Sequence, residues 1–156
     1  MSYVQDGVTN LLLKRHHIKN PEEADFAIIR VSTPWVPVES KNPIARGFHH
    51  GDLDFKGKEL QEILEICNKV PTIFNIYIDR PAVITDIDNV AIAVIADYGA
   101  SDKALLDVLF GLAQPEGKLP FELPVSMDAV NNQKEDLPYD SKEPLYKFGH
   151  GLRYRR

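Results

Sequence analysis

The chain is nearly without cysteine. Cys67 is the only one among 156 residues, which excludes an internal disulfide and any metal site built on several thiolates. Long apolar runs are missing too. None approaches the roughly 20 residues that a membrane-spanning helix needs. The start, M-S-Y-V-Q-D-G-V, lacks a basic segment followed by an apolar one. No signal peptide is therefore expected, and the chain as it stands reads as cytoplasmic with no membrane partner. Excess positive charge is also absent: 18 Lys and Arg against 23 Asp and Glu leave a net charge of −5. That removes the electrostatic case for nucleic acid, and Arg153, Arg155 and Arg156 read as a frayed basic tail. There is no Gly-x-Gly-x-x-Gly and no phosphate loop ending in Gly-Lys-Ser/Thr. Gly117-Lys118 follows a helical pattern rather than opening one, so no nucleotide cofactor is expected. A Gly-x-Ser-x-Gly elbow is lacking, so a serine hydrolase triad has no anchor. No internal repeat or low-complexity segment is present.

What is there is a globular composition, 44% hydrophobic and 26% charged, long enough for one domain with a real core. A single domain over residues 1–156 is expected, with a poorly defined start at 1–24 and a tail segment at 144–156. Residues 90–124 organise the reading. V-A-I-A-V-I-A, residues 90–96, is short, apolar and rich in β-branched residues, which suits a strand covered on both faces. Ser101 then caps a helix with Asp102 in its first turn. Leu105, Val108, Leu109 and Leu112 form its apolar stripe, and Gly111 marks its stop. Pro115, Gly117, Pro120 and Pro124 punctuate an extended exit that cannot be regular helix.

Elsewhere the pattern alternates in the same way. Residues 8–13 suggest a short helix, and Asn20-Pro21-Glu22-Glu23 a turn into a helical start. Residues 25–31, D-F-A-I-I-R-V, read as a buried strand. Residues 57–69 read as a helix with Leu60, Ile63, Leu64 and Cys67 on its apolar side, which makes Cys67 a core residue rather than a nucleophile. Residues 70–78 are a further strand, closed by Asp79-Arg80-Pro81, and 82–87 a short strand or turn. Residues 127–132 suggest one or two helical turns. The tail, broken by Gly149 and Gly151, reads as an edge strand. Strands alternating with helices predict a three-layer α/β/α sandwich around a mostly parallel sheet.

Residues 32–51 form a connection long enough to have a task of its own. They hold the single tryptophan, Trp35, with Glu39, Lys41, Arg46, Phe48, His49 and His50, and Asp52 follows. This is where ligand contacts are expected: Trp35, Arg46, Phe48, His49 and Asp52. His16-His17 and His49-His50 are adjacent pairs whose side chains diverge, so no metal site is expected. Glu39, Asp52, Asp54 and Asp79 lie in or beside loops. Carboxylates there are mostly solvated, but paired carboxylates are also what glycoside cleavage uses. Trp35, Phe48 and Tyr98 could stack on a sugar ring or simply pack.

Two segments, P-E-G-K-L-P-F-E-L-P (115–124) and P-L-Y-K-F-G-H-G-L-R-Y (144–154), resemble the C-terminal domain of glycoside hydrolase family 3, the family of β-glucosidases and β-xylosidases. I-D-R-P-A-V (78–83) resembles the family's Gly-Arg-Pro turn, with Asp79 in place of glycine. G-D-L-D-F (51–55) resembles the segment that precedes a helix. The resemblance implies an α/β sandwich and a β-linked glycoside substrate cleaved by a retaining, two-carboxylate mechanism. It implies no cofactor. The family's nucleophile is an aspartate in a Ser-Asp-Trp-like segment of an N-terminal barrel. This chain has no such segment and, at 156 residues, no room for a barrel of about 250. The barrel of the same or another chain is then the expected partner, and turnover by this chain alone is not expected. The family's acid/base glutamate varies in position, and Glu39, after the first strand of the resemblance, is the nearest candidate. A non-catalytic carbohydrate-binding or oligomerisation module of the same fold is the competing expectation, and a homo-oligomer is compatible with either.

Overall fold

The computed structural model describes residues 2–5 and 20–155. The helix expected at 8–13 and the pair His16-His17 lie outside the described residues. Among the described residues the main sheet has four strands in the order β1-β2-β5-β6, all parallel: β1 (Ser2–Gln5), β2 (Phe26–Ser32), β5 (Thr72–Tyr77) and β6 (Ala93–Asp97). A separate two-stranded antiparallel ribbon pairs β3 (Val36–Pro37) with β4 (His49–His50).

Helix α1 (Gly57–Lys69) connects β2 to β5. Its stripe buries Ile63 and Ile66 against Ala27, Ile29, Phe74 and Ile76, with Leu60 and Cys67 partly buried beside them. Burial of each isoleucine contributes about 1.5–3 kcal/mol. The four-residue helix α2 (Thr85–Asp88) adds Ile87 to the same face. Side chains alternate across a strand, so Ile28, Arg30 and Asn75 point to the other face. There helix α3 (Asp102–Leu109) meets them: its Asp102 binds Arg30, and its Leu105 is buried. Helices on opposite faces of a parallel sheet make the expected three-layer sandwich.

Ser101 caps α3 through Ala104 N, and Ser126 caps α4 (Met127–Asn131) through Ala129 N. A turn of 3-10 helix at Pro21–Glu23 begins under an Asn20 cap.

Three expectations change. The strand expected at 90–96, covered on both faces, begins at Ala93 and is the edge of the described sheet, with Ala93 and Ala96 exposed. Val90 and Ala91 instead bond back to Ile87, because α2 occupies residues that read as strand or turn. Leu112 lies beyond α3 and is 80% exposed, so it does not complete the stripe. The long connection at 32–51 is closed by the β3–β4 ribbon. Gly51 makes that closure possible: at φ +91, a β-carbon there would stand 2.7 Å from Val36 Cγ2.

The tail is not an edge strand of the main sheet either. It pairs with the proline-marked exit: Leu123 N donates to Tyr146 O at 2.9 Å, Leu119 N to His150 O at 2.9 Å, and Gly149 N to Leu119 O at 2.8 Å. The pairing places Leu119, Leu123, Leu145 and Tyr146 on the core that α1 and α2 share. Gly151 passes so close that a β-carbon would lie 2.2 Å from Gly117 O.

Candidate functional site

In a parallel α/β sheet the loops at the carboxyl ends of the strands are the usual place for a ligand. Here those ends are tied together. Buried Thr33, just past β2, donates its N–H to Tyr77 O at 3.0 Å, and its hydroxyl lies within bonding distance of Tyr77 O and Arg80 O. Ile78 N reaches Asp97 O at 3.0 Å.

A second brace lies on the α3 face. Arg30 and Asn75 are register partners on β2 and β5. Arg30 Nε donates to Asn75 Oδ1 at 2.6 Å, Nη2 to Ala100 O at 3.0 Å, and Nη1 to Asp102. Asn75 Nδ2 donates to Asp97 Oδ2 at 2.7 Å, while Asp97 Oδ1 accepts from Gly99 N and Ala100 N. One guanidinium and one amide thus satisfy two carboxylates and fix the loop after β6, which carries the exposed Tyr98.

On this platform the long loop rises from Pro34. Trp35 stacks on His49, with ring centroids 4.1 Å apart and planes 14° from parallel. His49 Nδ1 bonds Asp79 Oδ2 on the turn after β5. The next residue, Arg80, gathers the loop's backbone. Its Nη2 donates to Pro34 O at 2.6 Å, Asp52 O at 2.8 Å and Gly51 O at 2.9 Å, and its Nη1 reaches His49 O at 3.5 Å.

Of the expected contact residues, the structure therefore brings Trp35 and His49 together. Phe48 is beside them in sequence and 66% exposed, without a ring contact among the described residues. Arg46 is used by its own loop, Nε donating to Ser40 O at 2.6 Å. Asp52 bonds Lys56, which also meets Asp54 at 3.3 Å. These two carboxylates, Asp52 first, push the Lys56 ammonium pKa up. Glu39 is exposed, two residues beyond β3, and bonds none of these groups.

A cavity of about 250 Å³ lies elsewhere, between Asp54, Val83, Thr85, Asp86 and Met127. Trp35 and His49 are not among its walls. The aromatic–imidazole pair sits on an open surface instead, so a ligand there would be covered on one side by this chain.

Asp79 is one of the loop carboxylates noted from sequence, but its partner His49 lies 30 positions away. Arg80's task was missed, because its acceptors are backbone carbonyls that no residue type advertises. The Arg30–Asn75–Asp97 brace was also missed. Its signal is there in retrospect: each interrupts or ends an otherwise apolar strand.

The family described as "Glycosyl hydrolase family 3 C-terminal domain" matches residues 5–154. Beta-glucosidase C of Emericella nidulans is 47% identical over 137 residues, which cover 88% of this chain and 22% of that protein. The periplasmic beta-glucosidase/beta-xylosidase of Dickeya chrysanthemi is 43% identical over 137 residues, covering 86% of this chain and 21% of its own length. The chain thus spans about a fifth of the length of these relatives. Among solved structures, beta-glucosidase D2-BGL from Chaetomella raphigera superposes with a TM-score of 0.65 at 16% identity, over 85% of this chain and 22% of that one. Beta-glucosidase 3B from Thermotoga neapolitana, in complex with glucose, gives 0.61 at 22% identity, over 86% and 22%. At those identities the likeness speaks for the fold.

Proposed function

The chain belongs to glycosyl hydrolase family 3, as its C-terminal domain, and from that premise we propose that it supplies one wall of the sugar site of a β-glucosidase-type enzyme. The observation that carries this is the open Trp35–His49 platform at the carboxyl edge of the sheet. A pyranose can lay its C–H face on an exposed aromatic ring while neighbouring polar groups take its hydroxyls. Phe48 and Asp52 flank that surface in sequence, and Arg46 shapes the loop that leads to it.

The reaction assigned to the assembled enzyme is retaining hydrolysis of a β-linked glycoside. A carboxylate nucleophile on the barrel, in the same or another chain, attacks the anomeric carbon. Glu39 gives its proton to the departing oxygen, then takes one from the water that releases the sugar. Two carboxyl groups about 5 Å apart are needed for this. With one of them on the barrel, residues 1–156 alone have no means of turnover. The test compares this chain, alone and with a family 3 barrel domain fused or added, on 4-nitrophenyl β-glucoside and β-xyloside. No hydrolysis alone and hydrolysis with the barrel is the expected pair of results. Unaided cleavage, or none with any barrel, overturns the reading.

A second reading, a non-catalytic carbohydrate-binding or oligomerisation module, draws on the same open platform. It expects glucose-dependent chemical shifts at Trp35, Phe48 and His49, with no cleavage when a barrel is present.

A further inference from the structure

Two side chains touch the imidazole of His49, and a third holds the backbone that carries it. Trp35 fixes the plane of the ring by stacking on it. Asp79 occupies Nδ1. Arg80 holds the carbonyl of His49 itself and that of Pro34, which precedes Trp35. The Asp79 and His49 side chains are 26% and 32% exposed. A pair so near the surface adds little to stability, so stability alone is a weak reason for this convergence.

The chemistry of the pair has a definite outcome. An ionised carboxylate only accepts hydrogen bonds, so Nδ1 must carry a proton. In the neutral ring, that is its only proton, and Nε2 keeps a lone pair. No hydrogen bond among the described residues engages Nε2. A fixed lone pair takes O–H donors and rejects ether and carbonyl oxygens.

We propose that Asp79 and Arg80 are positioning residues for His49, and that His49 so held presents Nε2 as the acceptor for a hydroxyl of the bound sugar. The ligand assignment rests on the sugar-site reading above, whereas the positioning of His49 does not.

Two measurements separate them. In residues 1–156 labelled with 15N-histidine, long-range proton–nitrogen correlation at a pH where His49 is neutral should report the Nδ1–H tautomer. Asp79→Ala should move it toward Nε2–H. Asp79→Asn, whose amide oxygen still accepts from Nδ1–H, should restore it. Arg80→Lys keeps the charge but loses the fork, and should speed amide exchange over residues 48–52 by about tenfold. A wild-type Nε2–H tautomer, or one that Asp79→Ala leaves unmoved, overturns the positioning of His49.

The second measurement uses the barrel-complemented enzyme and 4-nitrophenyl β-glucoside. His49→Ala and Asp79→Ala should each raise KM about tenfold, the loss of one hydrogen bond. The double variant should be no worse than His49→Ala, as for groups acting in series. An unchanged KM in His49→Ala, with the tautomer as expected, removes the sugar hydroxyl as the ligand and leaves the positioning intact. Additive losses remove Asp79 as a residue acting through His49.

Discussion

Tyr146 donates its phenol hydrogen to Asp88, and burial together with that carboxylate pushes its pKa from 10.0 up to about 12. The neutral phenol is the form the fold favours. Below pH 10 the stabilisation is therefore complete. Above it the unfolded chain releases the proton first, and the contribution is lost as pH rises toward about 12. Tyr146→Phe removes that dependence. In urea unfolding followed from pH 9 to 12.5, the difference in stability between wild type and variant should shrink steadily with pH. A constant difference would mean that the bond to Asp88 does not couple to the proton. Glu39 gives a second prediction for a single residue. In a barrel-complemented enzyme, Glu39→Gln should slow glycosides with poor leaving groups about 100-fold or more, and 4-nitrophenyl glycosides far less, because only the former need the proton. Equal slowing of both removes Glu39 as the acid. At this scale the sequence gives residue types without their partners: Trp35 and His49 stand in a long loop and folding stacks them, while Cys67 packs with the apolar side of α1. The sequence is silent on Arg80, whose acceptors are peptide carbonyls brought together by folding.

The helices show the same division. Ser101 and Ser126 each precede a helix and cap it through the amide three residues on. These signals are local, and α1 occupies the span that its apolar spacing predicts. Strand β6 is different: an apolar run cannot say how many neighbours it will have, and among the described residues its register partners belong to β5 alone. The short ribbon of β3 and β4 was likewise hidden, since two residues carry no period. Nor does one strand reveal that its lone polar residue has counterparts on the next. The Arg30 brace crosses β2, β5, the loop after β6 and α3. Arg30→Met would leave Asp97 and Asp102 without their cation, at a cost of about 3 kcal/mol. Chemical denaturation measures this. A loss below about 0.5 kcal/mol would show that the two carboxylates do not depend on Arg30.

Across the whole molecule, the alternation of strand and helix carried the sandwich, and four short segments carried the family. What neither revealed is that the two longest of those segments are one physical unit. Residues 115–124 and 144–154 are paired along their backbones, with Lys118 Nζ on Gly151 O at 3.0 Å and Arg153 on Glu116 at 3.1 Å. Their spacing in sequence conceals a single sleeve of chain over the core. Gly151→Val should separate them, since its side chain would collide with Gly117 O. It should lower the melting temperature by several degrees, whereas the same change at exposed Gly47, with nothing within 4 Å of its β-carbon, should have a small effect. Equal shifts would mean that the close approach at Gly151 does not matter.

That sleeve also sets a schedule for synthesis. The backbone of Leu123 and Leu119 has no partner on the tail until Tyr146 and His150 have left the ribosome. A nascent chain halted before residue 144 holds every strand and helix of the sandwich, yet its core is still uncapped and open to chaperones or to a neighbouring chain. The translating cell must carry this domain almost to its end before it can let go.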